Sequence, residues 1–375
     1  MNYDFTTPVS RLGTGSMKWD RYRDRDVLPF WVADMDFVSA PEIVAALRER
    51  ANHGIFGYTV PTLEVEEAVL EYLHHRHGLE AQVEWIVWLP GLVQGINLCC
   101  RAFGPEVMTL TPIYPPFRSA PSFAEGVLRE VELQRGAEQW EIDWDAMKRN
   151  VTPQTSLLLW CHPHNPVGKV FSREEMGRVL EFCAEHSLVL CSDEIHCDLI
   201  LDDVPHVPAL SLEGAAAHTI TLLSPSKTYN LPGLACAYAV IPNPELRHRF
   251  RRICRGIITE INCFGYVGCH AAYRHGEPWR RELIEVLRNN RDRVFAFMAD
   301  KFPEVPMTPM AATYLAWLDV RPLGLEDPVT QFERAGIGLS DGKDFGRPGQ
   351  VRLNFGCPAA QLEEGLRRFA AAVDR

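Results

Sequence analysis

The sequence predicts an α/β fold built on a mostly parallel sheet with helices on both faces. Three observations carry this expectation. Short runs of buried-strand residues recur, such as WIVWL (85–89), VMTLT (107–111) and SLLLWC (156–161). Amphipathic helical patterns separate them, and no fixed-period repeat or low-complexity segment points to another architecture. The 375 residues are 46% hydrophobic, enough for one large domain and a smaller one.

SAPEIVAALRERANHG (39–54) predicts a helix with Ser39 as N-cap and Pro41 in the first turn. Ile43, Val44, Leu47 and Ala51 share one face of it, and Gly54 is its stop. A second helix fits 63–77 and ends at Gly78, and a third runs from about Val93 to Phe103 behind WIVWL. SREEMGRVLEFCAEHS sets Ser172 and Glu175 at capping-box spacing and leads to LVLCSDEI, ITLLSP and AYAVI. After Gly276 the pattern changes to a long amphipathic helix (278–302), strand-like TYLAWLDV, a helix around VTQFERAG, strand-like VRLNFG and a terminal helix LEEGLRRFAAAV. The expected division is a large domain, 38–277, and a small α+β domain formed by 1–37 and 278–375.

Charge and cysteine usage exclude several classes. The net charge of −11 and the lack of a basic block argue against a nucleic-acid or anionic-membrane partner. The densest basic cluster, RHRFRRICR (247–255), has the spacing of a solvated helix face. Eleven cysteines without a CxxC, mostly in apolar contexts, fit reduced thiols in a cytoplasmic enzyme, so neither a disulfide framework nor a metal site is expected. MNYDFTTPVSRLG lacks a basic region followed by an apolar core, and no apolar run approaches ~18 residues, so neither export nor membrane insertion is predicted.

In open α/β sheets ligands sit beyond the carboxyl ends of the strands, and those positions are rich in chemistry in this chain. After WIVWL comes PGLVQG, where Gly91, Leu92 and Val93 open a helix whose free N–H groups suit a phosphate. After VMTLT, PIYPPF puts Tyr114 on a proline-stiffened loop where its ring is free to stack. HNPVG offers Asn165 as a donor to a ring oxygen. Asp193 emerges from the apolar LVLC, where a carboxylate needs a cationic partner. Lys227 stands in SPSKTYN between two apolar runs, where a lone lysine is ordinarily solvated. Arg352, in VRLNFG, suits a two-point contact with a carboxylate. Pyridoxal 5'-phosphate (PLP) has a use for all six positions: a phosphate, a flat ring, a ring oxygen, a pyridinium, a carbonyl for the lysine, and a substrate carboxylate.

The ordered set HNPVG, SDEIH and SPSKT resembles the fold-type I PLP enzymes of the aminotransferase class I and II superfamily. FWVADMDF (30–37), GYTVPT (57–62), PHNPVG and DEIHCDL resemble the branch that contains the cystathionine β-lyases and related cysteine S-conjugate lyases. The likeness runs over nearly the whole chain. It implies a seven-stranded type of central sheet, PLP as cofactor, and Lys227 as the catalytic lysine joined covalently to it. It further implies Asp193 on the ring nitrogen, Asn165 on the ring's 3-oxygen, Tyr114 stacked on the ring with His196 beside the cofactor, and Arg352 on the substrate α-carboxylate near Asn165 and Tyr114. Ser224 and Ser226 would help hold the phosphate, and Tyr58 would reach the phosphate of a neighbouring subunit, in a homodimer with shared sites.

Three positions depart from relatives. Ala235 stands where transaminating members often carry a phosphate-binding arginine. His196 replaces a tyrosine of many aminotransferases, and Pro115 follows Tyr114 where some lyases have a second tyrosine. The branch implies α,β-elimination from cystathionine or another L-cysteine S-conjugate, giving thiol, pyruvate and ammonia. Transamination of a small L-amino acid needs the same residues and is the alternative. A non-catalytic binding protein on this fold would have no use for Lys227 and Asp193.

Overall fold

The computed structural model describes residues 1–136 and 139–373. Its centre is a seven-stranded sheet of Ile86–Leu89 (β1), Glu106–Thr111 (β2), Val127–Glu132 (β3), Thr155–Cys161 (β4), Val189–Asp193 (β5), Thr219–Leu223 (β6) and Ala237–Val240 (β7). The spatial order is β1-β7-β6-β5-β4-β2-β3, and only β7 runs antiparallel to its neighbours. The chain belongs to the α/β class expected, with the mostly parallel sheet expected. Helices return the chain between parallel strands, as Leu92–Phe103 does between β1 and β2 and Arg173–Glu185 between β4 and β5.

Side chains alternate across the sheet. Leu157 and Leu159 of β4 pack with Ile96, Phe103 and Ile220 on one face, while Leu158 and Trp160 pack with Val179, Phe182 and Leu190 on the other. Both faces are therefore covered, and the strands read as continuous apolar runs. The edge strand β3 (VLREVE) buries only Val131 and leaves three of its residues exposed, which is why the search for apolar runs passes over it.

The helices begin and end close to the expected limits, with one correction. Helix Pro41–His53 is preceded by Ala40 as N-cap, and Ser39 caps nothing. The Ser39 hydroxyl instead donates to the Asn230 carbonyl at 3.3 Å, because Pro41 fixes the first turn one residue later than the serine requires. Gly54 and Gly78 end their helices in the left-handed conformation, at φ 76° and 65°. Ser172 and Glu175 form both halves of the capping box.

A second, antiparallel sheet joins Leu315–Asp319 (β8), Ser340–Asp341 (β9) and Gln350–Asn354 (β10) in the order β8-β10-β9. It shares a core with the N-terminal segment and helices Glu277–Lys301 and Ala359–Val373, through Phe30, Met35, Phe37, Trp279, Tyr314, Leu353 and Phe369.

Buried ion pairs tie that segment down. Lys18, 1% exposed, reaches Asp36 at 2.8 Å, and Arg11 binds the same carboxylate at 2.7 Å and Asp34 at 2.6 Å. Burial works to raise the Asp36 carboxyl, yet Lys18, Trp19 and Arg11 hold it below the usual range. Removing one partner from such a cluster leaves charge buried without compensation. Lys18→Ala should therefore cost about 3 kcal/mol in urea unfolding. A cost below about 1 kcal/mol would place the pair among ordinary surface ion pairs.

Candidate active site

Strand register assembles the site. Cys161 of β4 lies beside Asp193 of β5, and Asp193 beside Leu222 of β6, so the segments after these strands meet at one edge of the sheet. They line a cavity of about 510 Å³ that holds Gly91, Leu92, Val93, Tyr114, Asn165, Asp193, His196, Ser224, Ser226 and Lys227 together. Of the sequence-derived candidates, Arg352 and Tyr58 are not on its wall. Arg352 stands directly behind Asn165, donating from Nη1 to Asn165 Oδ1 at 3.0 Å. Tyr58 is fully exposed, on the segment between two helices, and shares no cavity with the others.

Asp193 is 4% exposed, and among the described residues its carboxylate accepts one hydrogen bond, from the Ile195 N–H at 3.1 Å, and forms no ion pair. Burial pushes its carboxyl up to about 7, although the Ile195 N–H and the Lys227 charge oppose the rise. A carboxyl so placed is only partly ionised near neutral pH, and a cation or protonated nitrogen facing it would favour its charged form.

Lys227 is held the other way. Its Nζ donates to the Ala33 carbonyl, and burial brings the amine down to about 8; the Arg352 charge adds to the fall, while Asp34 and Asp193 resist it. Such an amine is partly neutral near neutral pH and nucleophilic.

Arg352 is buried without a carboxylate partner among the described residues. Its Nη2 donates to the Trp31 carbonyl at 2.8 Å, Nε has no partner, and the guanidinium lies 4.7 Å from the centre of the Phe345 ring. Burial lowers it to about 10. The register Trp317↔Arg352↔Ser340 puts it on the central strand of the second sheet. An arginine in this setting lacks an anion.

The remaining candidates divide by what already occupies them. Gly91 is the N-cap of helix Leu92–Phe103, and a Cβ there would meet Gln94 Oε1 at 2.7 Å, so the first turn stays open to the cavity. Tyr114 caps helix Pro115–Phe123, with Pro115 as its first residue, and its ring lines the cavity. The Ser226 hydroxyl has no partner among the described residues. Ser224 differs from its expected use: its hydroxyl donates to the Cys236 carbonyl at 2.8 Å and accepts the Ser226 N–H at 3.1 Å. It shapes the turn, and its proton is free for a ligand only if that bond is given up. His196 is buried with Nδ1 unpartnered, and burial, aided by the Lys227 and Arg352 charges, drives it down to about 3, so the ring is neutral. Ala235, at φ 50°, lines the cavity.

Sequence reasoning missed several contributors. Tyr314 donates to the same Ala33 carbonyl as Lys227, at 2.9 Å. Ser340 and the Trp31 carbonyl face Arg352, and Met17, Cys161 and Cys236 line the cavity. Tyr314 immediately precedes β8, so inspecting the starts as well as the ends of strands would have found it. The others act through the backbone or as walls, and no residue-type signal marks them.

The cavity therefore brings together an open helix N-terminus, an aromatic ring, a buried carboxyl and a partly neutral amine. Arg352 and Asn165 remain for a molecule bearing a carboxylate.

Comparison with known proteins agrees in scope. The model of the family described as aminotransferase class I and II matches residues 25–369. Cystathionine beta-lyase PatB of Bacillus subtilis is 36% identical over 100% of both chains. The solved structure of OvoB is 42% identical, covers 99% of each chain and superposes with a TM-score of 0.96. Cystalysin of Treponema denticola, solved with a pyridoxal 5'-phosphate cofactor, is 32% identical over 100% of this chain and 99% of its own, with a TM-score of 0.94.

The lowered lysine is testable without any ligand. In ligand-free protein, acylation of Lys227 by acetic anhydride, followed residue by residue by mass spectrometry, should rise about tenfold per pH unit and level off above about pH 8. A rate still climbing through pH 10 would assign Lys227 an ordinary amine.

Proposed function

The chain belongs to the aminotransferase class I and II family, and we propose that it is a PLP-dependent carbon–sulfur lyase of the cystathionine β-lyase type. The observation that carries the reading is a buried, partly neutral lysine that feels two buried titratable groups, Asp193 and Arg352, each without an oppositely charged hydrogen-bond partner. PLP fits this vacancy of charge. Its phosphate suits the Gly91–Val93 turn and the Ser226 hydroxyl, its ring nitrogen Asp193, its 3-oxygen Asn165, its ring face Tyr114, and its carbonyl carbon Lys227.

When bound, PLP supplies an electron sink that weakens the bonds to the substrate's Cα. The protein's own residues decide which of those bonds breaks. Arg352 holds the substrate α-carboxylate, and with Asn165 fixes which Cα bond is presented. Lys227 Nζ would take the Cα proton. A thiolate would then leave from Cβ and pick up a proton, and water would hydrolyse the released 2-aminoacrylate to pyruvate and ammonia. Transamination would instead require a keto acid as second substrate; the similarity to cystathionine beta-lyase PatB along the whole chain favours elimination.

Among the described residues on the cavity wall, Lys227 is the one cation. With no second cation to read a distal carboxylate, the reading extends to cysteine S-conjugates of varied leaving groups.

The same proposal includes a homodimer. Tyr58 is fully exposed amid Ile55, Phe56, Val60 and Leu63, each at least 58% exposed, and such an apolar patch supports a second copy covering it and Tyr58 entering that copy's site. It also includes the division into 38–277 and the remainder, supported by the separation of the seven-stranded sheet from the three-stranded one; the last two residues, 374–375, lie outside the described ones. No described helix is long and apolar enough to cross a membrane.

The test is L-cystathionine supplied alone, with pyruvate and thiol followed. Release independent of any keto acid supports the lyase, and strict dependence on one would make the chain an aminotransferase. Lys227→Ala should lower release by at least about 10²–10⁴-fold, and Arg352→Ala should raise KM and lower kcat/KM about 10–100-fold through loss of a charged hydrogen bond. Mixed Lys227→Ala and Tyr58→Phe subunits should recover activity, since one composite site in the heterodimer carries neither change. A fully active monomer at high dilution would contradict the shared site.

A further inference from the structure

His196 lines the active-site cavity, and its neighbour Cys197 lines a different one, of about 530 Å³, with Arg76, His77, His206 and Arg280. None of these four has a part in the chemistry above. One donor atom each from His77, Cys197 and His206 lies within 4.8 Å of the others, and Cys197 Sγ is 3.7 Å from His77 Nε2. The side chains of His77 and His206 are 5% and 4% exposed.

Hydrogen bonding fixes what each ring offers. His206 Nε2 lies 2.8 Å from Glu194 Oε2, and an ionised carboxylate only accepts, so Nε2 carries the proton and Nδ1 the lone pair. That Nδ1 is buried without a partner. A carboxylate behind a histidine whose other nitrogen is free is the arrangement that orients metal-binding imidazoles. The Tyr72 hydroxyl gives its hydrogen to Asp198 at 2.7 Å and so accepts from His77 Nε2 at 2.9 Å.

Glu194 and Asp198 are both buried; Arg76 pairs with Asp198 at 2.9 Å, and Arg280 and Arg281 share Glu277.

We propose that His77, Cys197 and His206 bind a borderline-soft divalent transition metal such as zinc, with a fourth position open to the cavity. On binding, the Cys197 thiol proton leaves to solvent and the His77 proton moves from Nε2 to Nδ1, freeing Nε2 as ligand. The three residues are too far apart in sequence to form a spacing motif, and so the sequence raises no expectation of a metal at this place.

Zinc itself is the probe. The PLP-loaded protein, dialysed against buffered zinc, should take up one ion per chain. X-ray absorption at the zinc edge should return one sulfur at ~2.3 Å with nitrogen at ~2.0–2.1 Å. Cys197→Ser should abolish the sulfur shell, and Glu194→Gln should weaken binding about 10–100-fold. His206→Asn should weaken it at least as much, whereas the exposed His74 and His75 of the same helix as His77 should be replaceable by Ala without change. Absence of stoichiometric uptake, a shell without sulfur, or uptake unchanged by either Cys197→Ser or His206→Asn in protein of native circular dichroism overturns the proposal.

Discussion

Two opposite charges buried without partners, Asp193 and Arg352, organise this molecule. Each would be costly in any interior, and a protein selected for stability alone would pair them or replace them with apolar residues. They are instead separated, each held by neutral groups: Asp193 by one backbone N–H, Arg352 by an amide and a backbone carbonyl. Lys227 stands between them in effect, its amine lowered by burial and by Arg352. In the function proposed above, a cationic ring nitrogen would answer Asp193 and an anionic substrate Arg352.

The scaffold is arranged around keeping those groups apart and still. Asp193 and the segments carrying Asn165 and Lys227 issue from neighbouring parallel strands, whose register permits little slip because both faces are packed. Arg352 comes from the other sheet, and the N-terminal segment joins the two. The Ala33 carbonyl receives Lys227 and Tyr314, the Trp31 carbonyl receives Arg352, and Asn354 donates to the carbonyls of Val32 and Asp34. The Lys18–Asp36–Arg11 cluster then locks that segment.

Much of this was legible in the sequence because parallel sheets advertise themselves. Fully buried strands read as apolar runs, and inspecting the residues just beyond each run picks out Asp193, Asn165 and Lys227, which line one cavity. The edge strand Val127–Glu132 was missed because exposure replaces the apolar run with charged residues. Backbone carbonyls such as Ala33 carry no residue-type signal at all. Ser224 was assigned by its neighbourhood, and only geometry shows its hydroxyl committed to Cys236. Tyr58 is not on the wall of that cavity, so the role proposed for it rests on a second copy, which no reading of one chain supplies.

That Asp193 is buried at a cost and waits for a cation is most directly tested by pH-dependent unfolding of cofactor-free protein. A carboxyl raised from 3.8 to about 7 contributes stability that is complete below its unfolded value and lost as the pH climbs through 7. Asp193→Asn has no such loss. Urea unfolding should therefore find the variant gaining on the wild type by roughly 2–3 kcal/mol between pH 5 and pH 8. A difference that stays constant over that range would mean that Asp193 already has its counter-charge in the cofactor-free protein, and would contradict a carboxylate kept waiting for the pyridinium.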